Sequence, residues 1–389
     1  MEAFREGRLR RSVRQSVTLA RAVRAGRARV KTTPPTPPTP PQVDGTALRD
    51  LVARVAGDAQ LVDVACNRAQ WTTTGVQVVA GESVTWLAWG FAYVIKPLGI
   101  GVWPRNALSG RIGGGALQQS ARDTFTFTAD RDGPVELASL FPGELRADGS
   151  IVTDRIPYRA MSGRFRAVVV RWAGGSDPGA ALAAVADSDP SGLCAAEAAR
   201  LADPPKPPLG WHHHPTLRPT EVYAPSERGI TAHVHDAVGI VRRPAEMPLS
   251  SSLRLRWSWR LDALPSRLPE DTTLTHDYLS VALEFDDGQD LSWHWSCSLP
   301  EGFAYRCPFD HWRRRETHIV VRSGAASLGR WVEEERPVLA DHRAAIGGLA
   351  PARVVRAWLI SVSFLQGREG HGELGRIELV DRNETVRVL

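Results

Sequence analysis

Apolar and polar residues alternate with period two from Leu253 to Leu261. Leu253, Leu255, Trp257, Trp259 and Leu261 take one side, and Arg254, Arg256, Ser258 and Arg260 take the other. Alternate residues of a strand share a face, so this pattern predicts a strand with its apolar side inward. The arginine side then faces water or an anionic ligand. Ile230 to Val241 alternates in the same way. Tyr278 to Phe285, Leu291 to Ser298, Ile319 to Val321, Val354 to Phe364 and Arg376 to Leu379 complete an all-β domain of about eight strands.

Earlier in the chain the same period recurs in shorter runs. Val62 and Val64, Val76 and Val78, then Val84, Trp86 and Ala88 alternate, broken by Gly75, Gly81 and Gly90. Phe125 and Phe127, Val135 and Leu137, then Phe165, Ala167 and Val169 continue it to Trp172. Such runs, broken by glycines, indicate antiparallel sheets in a sandwich or barrel. Two stretches carry a helical period instead. Leu9, Val13, Val17 and Ala20 give one apolar stripe within residues 1–31, and Leu48, Leu51, Val52 and Val55 share a face after Thr46.

Proline marks the joints. Residues 32–45 begin with a Thr/Pro run whose fixed φ and missing donors make a stiff polyproline II spacer. Residues 174–210 are alanine-rich, with one or two short helices expected, and end in the run Asp203–Pro208, which forbids regular structure. The expected organisation is a basic arm over 1–31, a linker over 32–45, a sandwich over 46–173, a connector over 174–210 and a second sandwich over 211–389.

Charge changes this picture in one place. The chain has 389 residues, 43% hydrophobic and 23% charged, with a formal net charge of +5. Residues 1–31 hold ten Lys/Arg against two Glu, a net of +8; the other 358 hold 38 basic and 41 acidic residues, a net of −3. A nucleic-acid-binding body is therefore not implied, and attraction to polyanions lies in the arm. A basic helix with an apolar face suits an anionic membrane surface or a partner groove, and equally a solvated tail. The arm lacks a secretory apolar core, being broken by arginine every few residues, and four cysteines are too few for a disulfide framework. The expected location is the cytoplasm, with peripheral membrane attachment as the variant.

Two stretches of the chain resemble known families. TrpThrThrThrGly at 71–75, AlaGlyGluSerVal at 80–84, Tyr93, LeuSerGlyArgIleGly at 108–113 and SerGlyArgPhe at 162–165 resemble, in that order, the bacterial galactophilic lectin family. Its members are small calcium-dependent β-sandwiches that bind galactosides, and the resemblance spans residues 60–173. It implies a ligand contact at Tyr93. The family's asparagine pair is replaced by Ala160 and Met161, and its aspartate falls near Leu140–Phe141, so the calcium site is expected to be lost. LeuArgTrpSerTrpArgLeuAsp (255–262), AspTyr (277–278), ValValArgSerGly (320–324), TrpValGluGluGluArgProVal (331–338) and ValArgAlaTrpLeuIle (355–360) are similar to an uncharacterised bacterial family of unknown function. That family looks like a jelly-roll or galactose-binding-like sandwich. The fold class is thus all-β, with two β-sandwich domains.

Candidate chemistry is sparse. Trp257/Trp259 and Trp293/Trp295 form two Trp-x-Trp pairs, which either fill a core or offer a platform to a sugar. The arginines between the first pair favour inward rings, and leave Arg254, Arg256 and Arg260 as candidate ligand contacts. His294, Cys297, Cys307 and His311 offer zinc-type donors, but residues 294 and 297 point to opposite sides of a regular strand. A Cys297–Cys307 disulfide and two reduced thiols are the competing readings. His233 and His235 share a strand face as a usable metal pair, with no third ligand visible in the sequence, so half-buried strand histidines are the simpler account. His212–His214 are adjacent and do not converge on one ion. Asp286–Asp290 reads as turn chemistry. Glu333, Glu334 and Glu335 with Asp341 and His342 supply acids and a base, although consecutive glutamates alternate sides. No nucleophile elbow, P-loop or dinucleotide fingerprint is present.

The leading expectation is a non-enzymatic protein binding carbohydrate or a cell-surface polymer, with no catalytic residue and no cofactor assigned. Alternatives are a polysaccharide hydrolase or lyase using Glu333–His342, and a scaffold anchored by its basic arm. An anchoring arm makes a direct prediction: deleting residues 1–31 redistributes the protein in fractionated cells, and an unchanged distribution removes the scaffold reading.

Overall fold

The computed structural model describes Ala20, Arg24, Thr39 and residues 41–389, except 97–98, 142–143, 146–150, 153–154, 215–217, 267–268, 273–278, 310–311, 365–367 and 383. The basic arm, apart from Ala20 and Arg24, and most of the proline spacer lie outside these residues. The chain divides between Pro205 and Lys206, within the Asp203–Pro208 run. Strands dominate both units. No helix among the described residues is long and apolar enough to cross a membrane.

In the N-terminal unit, one antiparallel sheet runs Asp58–Ala65, Ser162–Trp172, Ser83–Ile95 and Ile100–Val102, with Thr124–Thr128 also paired to Ser83–Ile95. The second runs Thr72–Val78, Gly133–Ser139, Leu108–Ile112 and Gln118–Gln119. The sheets meet at Trp86 and Gly110: a Cβ on Gly110 would sit 2.9 Å from the Trp86 ring. The space for the indole is therefore made by the missing side chain opposite.

The connector expected over 174–210 is for the most part a third layer of this unit. Helices Pro178–Val185 and Leu193–Ala202 join helix Gly45–Ala56 on the far side of the first sheet. Leu182, Val185 and Cys194 are buried there with Leu48, Val52, Leu87, Trp89, Val168, Val170 and Trp172. The reason lies in Ser83–Ile95, whose run SVTWLAWGFAYVI is buried at consecutive positions and so presents apolar side chains on both faces. A polar tie fixes the layer: Thr124 donates to buried Glu197 at 2.7 Å, and Arg200 donates to the same carboxylate at 2.6 Å. Helix Gly45–Ala56 starts at Asp44, whose side chain accepts from the Thr46 and Ala47 amides.

The C-terminal unit is two sheets. The larger has seven strands in the order His212–His213, Val238–Pro248, Arg353–Val362, Leu279–Phe285, Asp290–Ser296, Glu316–Ser323 and Ala304–Arg306. All its pairings are antiparallel except that of Asp290–Ser296 with Glu316–Ser323. The smaller runs Tyr223–Pro225, Ile230–His235, Glu369–Asp381, Arg254–Ala263 and Val332–Pro337, with Glu384–Arg387 on Glu369–Asp381.

Between them lie all four rings of the Trp-x-Trp pairs, each at most 2% exposed. Trp257 faces Trp293 at 6.4 Å and Trp259 faces Trp295 at 5.7 Å between ring centroids. A platform for a ligand is thereby excluded for these residues. Three of the four indoles also find a polar partner. Trp293 donates to Asp341 at 2.7 Å, Trp295 to the Gly324 carbonyl at 2.9 Å and Trp259 to Glu334 at 3.3 Å. Replacing Trp293 by alanine is expected to cost about 3–5 kcal/mol, because it empties core volume and removes one of the hydrogen bonds to the Asp341 carboxylate. Urea unfolding followed by far-UV dichroism measures this; a loss below about 1 kcal/mol would show that the ring is not a core member.

Candidate functional site

Burying the tryptophans turns the other residues of the same strands outward. On the smaller sheet these are the arginines. Arg256 donates to Glu335 at 2.6 Å, and Arg254 lies 3.9 Å from the same carboxylate. Arg260 pairs with Asp262 at 3.0 Å and lies 3.6 Å from Glu373. The guanidinium groups of Arg260 and Arg228 both sit over the half-buried Trp331 ring, at 5.8 and 5.2 Å. Arg254, Arg256 and Arg260 therefore share a face, with carboxylates of their own sheet already beside them.

The acids and base of 333–342 do not converge. Glu333 is 78% exposed and lies 4.0 Å from Arg376. Glu334 points the other way and accepts from Arg322 at 2.9 Å as well as from Trp259. Asp341 is held by Arg336 at 2.7 Å and by Trp293. His342 is buried with its ring edge-on to Phe285. These groups serve the frame of the sandwich, and the paired-carboxylate expectation for this segment is set aside.

The zinc-type donors also separate. The four cysteines are free, so Cys297 and Cys307 form no disulfide. The Cys297 amide donates to buried Glu270 at 2.7 Å, and burial pushes both the Cys297 thiol and the Glu270 carboxyl up. His311 lies outside the described residues. His294 and Cys307 belong to a different neighbourhood, the outer side of the seven-stranded sheet. There the donor atoms of Cys307, Glu316 and His318, all buried, come within 4.8 Å of one another. This set mixes sulfur, oxygen and nitrogen and suits a zinc-like ion.

The outer side of this sheet gathers many of the buried polar residues described in the unit. Register places its members. Glu284 pairs across to Arg356 on one side and to Asp290 on the other, and Asp290 pairs to Glu316. The next row runs Arg242, Trp358, Ala282, Ser292, His318 and Tyr305. The row beyond holds Ile360, Ser280, His294 and Val320. Arg356 donates to Glu284 at 2.7 Å and the Trp358 indole donates to it at 3.1 Å. Arg315 donates to both oxygens of Asp290, at 2.7 and 3.2 Å. Its guanidinium lies over Trp312 at 5.4 Å and over Trp358 at 5.3 Å. Tyr305 stacks on His318 at 4.9 Å, and its hydroxyl lies 3.3 Å from His294 Nε2. Phe303, 38% exposed, stacks on Tyr305 in turn.

Burial governs the charges here. It lifts the Asp290 carboxyl from 3.8 to about 6, against the lowering effect of Arg315. It holds His318 below the usual histidine range. The Ser280 and Ser292 hydroxyls are fully buried, and neither has a hydrogen-bond partner among the described residues. Unsatisfied buried hydroxyls cost about 1–3 kcal/mol each, so this face is polar beyond what packing requires.

Sequence reasoning read Asp286–Asp290 as a turn and passed over Glu284, Arg315, Glu316 and His318. A clue was available: Ser280, Glu284, Ser292 and His294 alternate with large apolar residues, which looks like a wet face. Here every position of Leu279–Phe285 and Asp290–Ser296 is buried.

In the N-terminal unit, Tyr93 is half-buried at the end of Ser83–Ile95, edge-on to Phe91 at 5.0 Å. Ala160 is exposed and Met161 buried, and neither carries a side-chain oxygen. The half-buried Trp71 lies under Arg111, at 4.2 Å.

Residues 210–378 match the family described as Protein of unknown function (DUF3047). No curated protein matches the chain significantly. Among solved structures, the chain is similar to the PllA-like lectin that forms the N-terminal domain of EclA, at 20% identity over 29% of this chain and 95% of that one, with a TM-score of 0.23. It is similar to the xyloglucanase domain of NopAA, a type three effector from Sinorhizobium fredii solved with cellobiose, at 7% identity over 44% and 94%, TM-score 0.27. It is also similar to the CBM22 tandem domain of Paenibacillus barcinonensis Xyn10C, at 10% identity over 84% and 92%, TM-score 0.17. None of these likenesses assigns a ligand to this chain.

The raised Asp290 carboxyl has a consequence for stability. Between pH 3.8 and about 6 the folded chain binds more protons at this group than the unfolded chain does. Its contribution is therefore greatest below that window and falls as pH rises through it, by a total on the order of 2–3 kcal/mol. Across this range urea midpoints are expected to fall less, or rise more, with pH in Asp290→Asn than in the wild type; identical slopes would contradict the shift.

Proposed function

We propose that the protein is a non-enzymatic carbohydrate-binding protein whose C-terminal unit takes its ligand at the outer face of the seven-stranded sheet. One observation carries this reading: on the outer side of one sheet, charged forks adjoin a run of rings that goes from buried Trp358 through half-buried Trp312 and Tyr305 to exposed Phe303. The Arg356–Glu284 and Arg315–Asp290 pairs adjoin Trp312 and Trp358, while Tyr305 and Phe303 continue the rings on the edge strand. Sugars are bound by planar rings against their C–H faces and by bidentate polar groups at adjacent hydroxyls. Arg315 and Arg356 are each about a third or more exposed and so reach solvent from the network. The resemblance of residues 60–173 to galactophilic lectins supports a second sugar contact near Tyr93, without calcium.

A second reading is favoured by Asp290 alone. A carboxyl protonated to about pH 6 opposite a second carboxyl, Glu284, resembles the acid pair of glycosidases. Release of reducing ends from a polysaccharide panel, abolished in both Asp290→Asn and Glu284→Gln, would establish hydrolysis in place of binding.

The binding reading is tested on the full chain by a glycan array followed by calorimetry on the best ligand, with and without calcium. Trp312→Ala is expected to weaken binding at least tenfold (about 1.4 kcal/mol), while Arg256→Ala on the other sheet leaves it unchanged. Array signals equal to buffer, or equal affinities for Trp312→Ala and the wild type, would overturn the assignment.

A further inference from the structure

We propose that the smaller sheet of the C-terminal unit carries a surface site for a divalent transition metal, formed by His233, Glu369 and His371. The sequence offers only the His233/His235 pair on one strand. Topology supplies the rest. Ile230–His235 lies antiparallel to Glu369–Asp381, with His233 opposite His371 and His235 opposite Glu369. Two cross-strand pairs thus make a two-by-two grid of three imidazoles and one carboxylate on a single face.

The geometry is close to a coordination sphere. One donor atom from each of His233, Glu369 and His371 lies within 4.8 Å of the other two. Glu369 Oε2 is 3.3 Å from His371 Nε2 and 3.8 Å from His233 Nε2. Ligand atoms about 2.0–2.2 Å from a zinc ion lie roughly 3.0–3.6 Å apart around a tetrahedron or octahedron. Small side-chain adjustments therefore suffice. The two imidazoles are stacked, with ring centroids 4.1 Å apart and planes 26° from parallel.

The scaffold favours the site as well. Both strands are paired on either side within the six-stranded sheet, so register, and not a loop, holds the donors. Two histidines and a carboxylate select borderline first-row ions of the zinc, copper, nickel or cobalt class over calcium or magnesium. Three protein donors leave at least one position for water or a ligand atom. His235, opposite Glu369 in register, lies 3.6 Å from Asp236 and is not one of the three converging donors. This face belongs to the other sheet from the proposed sugar site, so the two proposals stand or fall separately.

Untagged full-length protein, stripped with a chelator and titrated with zinc against a chromophoric competitor, gives the test. Wild type is expected to take up one equivalent more than His371→Ala or Glu369→Gln. Either variant should weaken that equivalent by on the order of 100-fold, at least what loss of an outer-shell partner costs. His212→Ala, within the adventitious histidine run, should leave it intact. Zinc should also raise the unfolding temperature of the wild type more than that of His371→Ala, since a ligand stabilises only the state it binds. Glu369 is exposed and His371 half-buried at the surface, so the variants should fold, as far-UV dichroism will show. Equal uptake by wild type and both variants, or loss of the equivalent in His212→Ala, would overturn the site.

Discussion

Four indoles between two sheets set the terms for the C-terminal unit. Trp257 and Trp259 come from one strand, Trp293 and Trp295 from another, and their rings meet across the sandwich. Because strand side chains alternate, placing these rings inward leaves no freedom for their neighbours. Arg256 and Arg260 must face out from the smaller sheet, and Ser292 and His294 must face out from the larger. A one-residue slip would turn the arginines of the first strand, or Ser292 and His294 of the second, into the core and the indoles out of it. The core thus fixes both outer surfaces, the arginine face and the polar face where the candidate site lies.

The larger sheet then meets a problem of its own. Its outward residues include Glu284, Asp290, Glu316, His294 and His318, and all of them are covered. Buried charge is tolerable only when paired and hydrogen-bonded. Arg356 and Trp358 answer Glu284, and Arg315 answers Asp290 with two hydrogen bonds. Compensation is nonetheless incomplete: Asp290 keeps its proton to about pH 6, and the Ser280 and Ser292 hydroxyls have no partner among the described residues. A face retaining polar groups beyond the needs of packing is where ligand chemistry is most economically sought. On the smaller sheet, the grid of His233, His235, Glu369 and His371 arises from register in the same way.

The N-terminal unit solves a different problem. Ser83–Ile95 is apolar on both faces, so a second sheet alone would leave one side exposed. The alanine-rich segment after Trp172 covers that side, together with Gly45–Ala56, and Glu197 anchors it through Thr124 and Arg200. What reads as a tether in composition is a structural layer, because small residues let helices lie close to a sheet.

Period-two alternation was sufficient to determine the all-β class, and the arginines at 254, 256 and 260 were sufficient to turn Trp257 and Trp259 inward. Those features are local, since a strand's two faces are written in consecutive residues. Proline runs likewise marked the joints, because proline restricts the backbone wherever it stands. The sites were not local. Glu284, Asp290, Glu316 and His318 come from three strands and meet only through pairing, one pair of them parallel. His233 acquires Glu369 and His371 from more than 130 residues away along the chain. Strand order and register decide such meetings, and these depend on the packing of the whole sandwich. No segment read alone contains them.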